Sequence, residues 1–231
     1  MKSQNWLTFS RRLKTRNDQI VELFRSLYDF IFPKLGLCIY CKSDTPHQFV
    51  CDACSETLKK LEAENPKPNM LSCYYYDSMV SDLIKSYKYN DNEYYYEYMS
   101  VQIAKLIVES NLTADIITFV PLHKRRNAQR GFNQSKVIAK KVAELIGISY
   151  ACTLIRTVNT DQQAKLSEQM RKENVKNAFK YKYNENLFNK SVIIIDDVVS
   201  TGATLACCID KLSSHGAKDI TSITFAKSHY K

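Results

Sequence analysis

The stretch Ser191–Leu205, SVIIIDDVVSTGATL, constrains this chain more than any other. An apolar β-branched run (Val192, Ile193, Ile194, Ile195) leads into two carboxylates (Asp196, Asp197). After them comes a small-residue loop (Ser200, Thr201, Gly202, Ala203, Thr204) that opens a helical pattern. A continuously apolar strand suits a parallel sheet buried on both faces. The carboxylates then fall at its C-terminal end, where open α/β sheets bind ligands. Because the loop carries no bulky side chain, its backbone N–H groups can close around a phosphate at the N-terminus of the next helix, whose dipole also favours an anion. The same residues fit a plainer structure as well, a buried strand followed by an ordinary Ser/Thr helix cap.

At 231 residues the chain has room for one α/β domain and a small appendage. Its formal charge of +9, spread along the sequence, suits an anionic partner such as a polyphosphate or a nucleic acid. No apolar run approaches the roughly 18 residues of a membrane span, and the N-terminus lacks the apolar core of a secretory signal. The expectation is a cytoplasmic protein without membrane insertion. Its cysteines need no disulfides to explain them.

Four of the eight cysteines have a metal-type spacing: Cys38-x-x-Cys41 and Cys51-x-x-Cys54. Two such turns facing each other supply a closed tetrahedral thiolate set for zinc, with no position left for substrate, so the ion is structural. A redox pair would need only one C-x-x-C, and neither follows a thioredoxin-like strand. His47 is a substitute ligand or a solvated loop residue. Ahead of this module, residues 1–18 form a basic polar tail, and residues 19–32 carry the spacing of an amphipathic helix ended by Pro33. The Pro66–Pro68 stretch marks a boundary, so the expected division is tail 1–18, helix and zinc module 19–65, and main domain 66–231.

Downstream, strands are expected at Met70–Tyr76, Asp115–Val120, Ser149–Ile155 and Ile220–Ala226, with helices at Met79–Tyr89, Tyr94–Ser110, Asn133–Ile146 and Ala206–Ser214. That alternation implies a mostly parallel sheet flanked by helices. The tyrosine clusters at 74–76 and 94–98 fit either helix and strand packing or base stacking. Residues Pro121–Phe132 read as a loop whose four cations and Gly131 suit an oxyanion such as pyrophosphate, or as a solvated basic loop. The polar segment Arg156–Asn177, with Arg171 and Lys172, reads as a lid or as an exposed helix.

The strand, the acidic pair and the STGAT loop resemble the signature of the type I phosphoribosyltransferases. Taken with HKRRNAQRGFNQ, the polar stretch bearing Gln163, Leu166, Arg171, Asn174 and Phe179, and the pieces Tyr76-Asp77 and Lys85–Tyr89, the chain from Phe32 onward resembles the ComF family of competence-associated proteins. That family has a phosphoribosyltransferase-like domain and commonly an N-terminal four-Cys zinc module. Ser200 stands where many relatives have Thr, and a hydroxyl is retained.

The resemblance implies binding of phosphoribosyl pyrophosphate (PRPP). Asp196 and Asp197 take the ribose hydroxyls, directly or through magnesium-bound water. Residues Val198, Val199, Ser200, Thr201, Gly202, Ala203 and Thr204 form the PRPP loop. Arg125, Arg126 and Arg130 face the pyrophosphate, and Arg171 and Lys172 close over it. It also implies a role in natural transformation, in handling incoming single-stranded DNA beside DNA-uptake channel or helicase proteins. Three readings follow: a PRPP-binding protein of DNA uptake, with phosphoribosyl transfer to an unassigned acceptor; a nucleic-acid adaptor with a regulatory PRPP site; and a nucleotide-salvage transferase.

Overall fold

The computed structural model describes residues 37–45, 49–89, 93–158, 178–182 and 185–228. The chain forms two compact units, dividing between Ser55 and Glu56. Because residues 61–63 already hydrogen-bond with the first strand (Ala63 N to Cys73 O, Tyr75 N to Leu61 O), the stretch ahead of Pro66 folds with the larger unit.

Helix α1 (Asp52–Lys59) begins directly after Cys51 and runs across this division. In the second unit, a five-stranded parallel sheet has the order β1-β7-β6-β2-β3, with β1 Met70–Tyr75, β2 Ile116–Phe119, β3 Ser149–Tyr150, β6 Ser191–Val199 and β7 Asp219–Lys227. The helices are α2 (Ser78–Tyr89), α3 (Glu93–Glu109), α4 (Lys124–Arg130), α5 (Gln134–Ile146) and α6 (Ala203–Ser213). A separate antiparallel pair joins β4 (Leu154–Arg156) to β5 (Phe179–Tyr181). The mostly parallel α/β architecture is thus the one the sequence implies.

β6 lies at the centre, and Val192 to Ile195 are all buried. Each such side chain contributes about 1.5–3 kcal/mol on full burial. Val192 and Ile194 share one face and pack with Leu205, Cys208 and Leu212 of α6. On α5 the buried positions Ile138, Ala139, Val142 and Leu145 recur at helical spacing, and this helix packs on β2, β6 and α3. Asn133 caps α5 by accepting from Lys136 N (3.0 Å), and Gly147 in the left-handed conformation ends it.

Three expectations are corrected. The segment 149–155 is not one strand. β3 pairs with β2, and after Ala151–Thr153 the chain leaves the main sheet so that β4 can pair with β5. Residues 124–130 are a helix rather than a loop, capped by His123 and ended by Gly131 at φ 78°. Lastly, β6 does not stop at Ile195 but continues through both aspartates to Val199, because β7 extends equally far beside it. Of the tyrosine clusters, Tyr74, Tyr95 and Tyr98 are buried, and Tyr74 and Tyr98 meet Phe225 edge-on. Packing explains these three residues.

Candidate PRPP site and four-cysteine centre

The chain's order of travel places a crevice between β2 and β6. From β6 it crosses through α6 to β7 on one side, whereas from β2 it crosses through α4 and α5 to β3 on the other. Such a reversal leaves the C-terminal ends of the two strands uncovered, and ligands bind there in open α/β sheets. The crevice begins at the carboxylates. β2 ends with Phe119 opposite Ile195, and a last bond from Val120 N reaches Ile195 O (3.0 Å). From Asp196 onward β6 is paired only with β7, Asp196 opposite Thr224 and Val199 opposite Lys227.

Asp196 and Asp197 are both half-buried, and strand alternation sends them to opposite faces. Asp196 Oδ1 accepts from Ser135 Oγ (2.7 Å) and from the backbone N–H of Asp197 (3.0 Å). Asp197 Oδ1 accepts from Val198 N (2.9 Å). Asp197 also lies close enough to Tyr87 that its charge, after burial, adds to the upward shift of that phenol. Ser135, which sequence reasoning missed, carries no local signal beyond a capping Asn two residues earlier. It matters because α5 begins at the rim of the crevice.

Past the aspartates the loop turns at Gly202, whose φ of 76° is left-handed and favours glycine. Gly202 is also the N-cap of α6, so no side chain caps that helix. The bond from Ala203 N to Thr201 Oγ1 is long, at 3.5 Å. The N-terminal amides of α6 are therefore presented to the loop Ser200–Thr204, with Ser200, Thr201 and Ala203 exposed.

On the β2 side, α4 carries the three arginines. Arg125 is exposed, and Arg126 and Arg130 are half-buried. Arg130 Nη1 donates to Gln134 Oε1 (3.4 Å), and Asn133 Nδ2 donates to Val120 O (3.2 Å), tying the end of β2 to the start of α5. The first turn of α5 thus links the basic helix, through Gln134, and the acidic pair, through Ser135. Arg171, Lys172 and His47 lie outside the described residues.

In the first unit each C-x-x-C forms a tight turn. Lys42 N bonds Cys38 O (3.0 Å), with Lys42 at φ 63°, while Ser55 N bonds Cys51 O (2.9 Å) where α1 starts. All four thiol sulfurs lie within 4.8 Å of one another, and Cys41 and Cys51 are 3.5 Å apart. A tetrahedral zinc with Zn–S bonds of about 2.3 Å holds its sulfurs about 3.8 Å apart, so the cluster is compatible with structural zinc. The Ser43 hydroxyl beside Cys41 (3.0 Å) brings that thiol down to about 6, and the backbone N–H of Cys54 lowers Cys51. Burial pushes Cys54 the other way. No helix among the described residues is long and apolar enough to cross a membrane.

Residues 132–231 match the family model of the phosphoribosyl transferase domain. The chain is 29% identical over 198 residues to the DNA utilization protein YhgH of Salmonella typhimurium, covering 81% of this chain and 82% of that one. It is 28% identical over 204 residues to competence protein F of Haemophilus influenzae, covering 81% and 88%. Among solved structures, glutamine PRPP amidotransferase from B. subtilis aligns with a TM-score of 0.41 and 23% identity, over 56% of this chain and 26% of that chain.

Proposed function

We propose that this homologue of competence protein F and of the DNA utilization proteins, which carries a phosphoribosyl transferase domain, binds PRPP with magnesium and acts in the cytoplasmic handling of incoming single-stranded DNA. The observation that carries the reading is the crevice between β2 and β6. The acidic pair, an uncapped helix start and a basic helix converge on it, matching in order the three parts of PRPP: ribose, 5′-phosphate and pyrophosphate.

In this reading Ser200, Thr201, Gly202, Ala203 and Thr204 hold the 5′-phosphate through backbone N–H groups and hydroxyls, with Val198 and Val199 framing the loop. Asp196 and Asp197 accept from the ribose hydroxyls or from magnesium-bound water. Arg125, Arg126 and Arg130 take the pyrophosphate, with Arg171 and Lys172 closing over it. Magnesium supplies charge neutralisation on the pyrophosphate when bound. The four cysteines Cys38, Cys41, Cys51 and Cys54 hold zinc as a structural ion. DNA-uptake channel or helicase proteins are the partners this role requires.

Competition binding tests the assignment. Magnesium-PRPP is expected to bind saturably and to be displaced by inorganic pyrophosphate, which shares its most charged part. Absence of saturable binding overturns the reading. Incubating labelled PRPP with candidate acceptors then asks whether transfer follows binding, since release of pyrophosphate with a free base marks salvage chemistry.

A further inference from the structure

The face of α5 turned away from the sheet borders a pocket of about 470 Å³. Tyr96 of α3, Asn127 of α4, Phe132, and Lys136, Lys140 and Lys141 of α5 line it. None of these residues belongs to the PRPP assignment. The aromatic side is held firmly. Buried Tyr87 meets the Phe132 ring at 5.5 Å and the Tyr96 ring at 6.2 Å, and its hydroxyl donates to Gln134 O (3.3 Å). The polar side carries three cations against one anion, Glu144. That residue meets Lys140 at 4.0 Å with both side chains more than half exposed, so the pair opens at little cost.

A fixed aromatic pair beside clustered cations is the combination that binds a nucleic-acid single strand. Phosphates take the cations and an unstacked base takes the ring, without sequence reading. A free inorganic anion has no use for the rings, and a duplex keeps its base faces stacked away from them. We propose that this pocket is a docking point for single-stranded nucleic acid. Phosphates lie on Lys136, Lys140 and Lys141, and a base lies against Tyr96 and Phe132. The inference rests on the DNA-handling part of the proposed function and assigns to it residues other than those assigned to PRPP.

Fluorescence anisotropy of labelled oligothymidylate, at several salt concentrations, tests it on the full-length protein. The double variant Lys140→Glu, Lys141→Glu is expected to bind the strand more than tenfold more weakly. It should also lower the salt slope by about 1.4, at ~0.7 for each phosphate of a single strand left without its cation. Tyr96→Leu is expected to weaken binding at least about fivefold, as loss of one stacked base does. Thermal unfolding establishes that each variant folds, and Lys140→Ala, Lys141→Ala keeps the test open if the charge reversal does not. Magnesium-PRPP affinity is expected to stay at the wild-type value throughout.

Unchanged strand affinity and slope in the lysine variants overturn the proposal, as does absence of strand binding by wild type. Duplex binding as tight as single-strand binding, or equal competition by polyglutamate, also overturns it. If strand binding follows the expected pattern while wild type fails to bind PRPP, the docking surface stands and the PRPP assignment falls.

Discussion

Of the four glycines with positive φ in the larger unit, Gly147, Gly202 and Gly216 differ in what surrounds them, so alanine at each isolates a different cost. Gly147 (φ 70°) ends α5 with nothing within 4 Å of where a Cβ would sit. Gly202 (φ 76°) has only Met70 Cε and Val199 Cγ2, both at an ordinary 3.8 Å. Gly216 (φ 92°) would bring its Cβ to 3.1 Å from Phe188 Cα, a backbone atom that cannot rotate away. Left-handed backbone costs a residue with a Cβ roughly 1–2 kcal/mol, and alanine recovers about 0.4–1 kcal/mol through the unfolded chain. Gly147→Ala and Gly202→Ala should therefore each lose about 1 kcal/mol net. Gly216→Ala adds overpacking, for a total of about 2–4 kcal/mol. The Asn189 N to Gly216 O bond (2.9 Å) pins the neighbouring turn and opposes relief. Urea unfolding of the zinc-loaded protein measures all three. Only Gly202→Ala should also weaken PRPP binding, because only Gly202 shapes the phosphate loop. Equal stability losses at positions 216 and 147, or equal effects on PRPP at 202 and 147, would refute the reasoning.

Ser135→Ala removes a hydrogen bond to a carboxylate worth about 1.5 kcal/mol, so magnesium-PRPP should bind about tenfold more weakly, with Ser135→Thr restoring much of the loss on calorimetry. The buried hydroxyls of Thr118 and Thr153 pair at 2.7 Å, so Thr118→Val alone should cost about 1–3 kcal/mol in urea unfolding. The double change to valine should cost less than the sum of the two singles. Metal analysis should find about one zinc per chain, lost in Cys38→Ser. In stripped protein Cys41, lowered to about 6 by its Ser43 partner, should alkylate first. Its rate should fall as pH drops through that value, while Cys73 and Cys208, pushed up by burial, stay slow. Mass mapping of the alkylated peptides checks that order.

The elements legible in the sequence were those whose signal is local. β6 showed as an unbroken β-branched run because both its faces are covered, and α5 showed through its apolar spacing, its Asn133 cap and its Gly147 stop. α4 was not legible because KRRNAQR has no apolar face. It forms through its His123 cap and through Gly131, not through core burial. The break between β3 and β4 was equally hidden, since Ser149–Ile155 is uniformly strand-compatible and only pairing with two different partners divides it. At the site, the acidic pair and the STGAT loop could be read in order. Ser135 could not, because its partner Asp196 lies far along the chain and is met only once β2 and β6 are neighbours.

Calorimetric titration of magnesium-PRPP into wild type and into the Asp196→Asn, Asp197→Asn variant tests the crevice assignment most directly. Wild type is expected to bind saturably, and binding is expected to be lost in the variant, whose thermal unfolding should remain cooperative. Binding that persists unchanged in the variant contradicts that assignment.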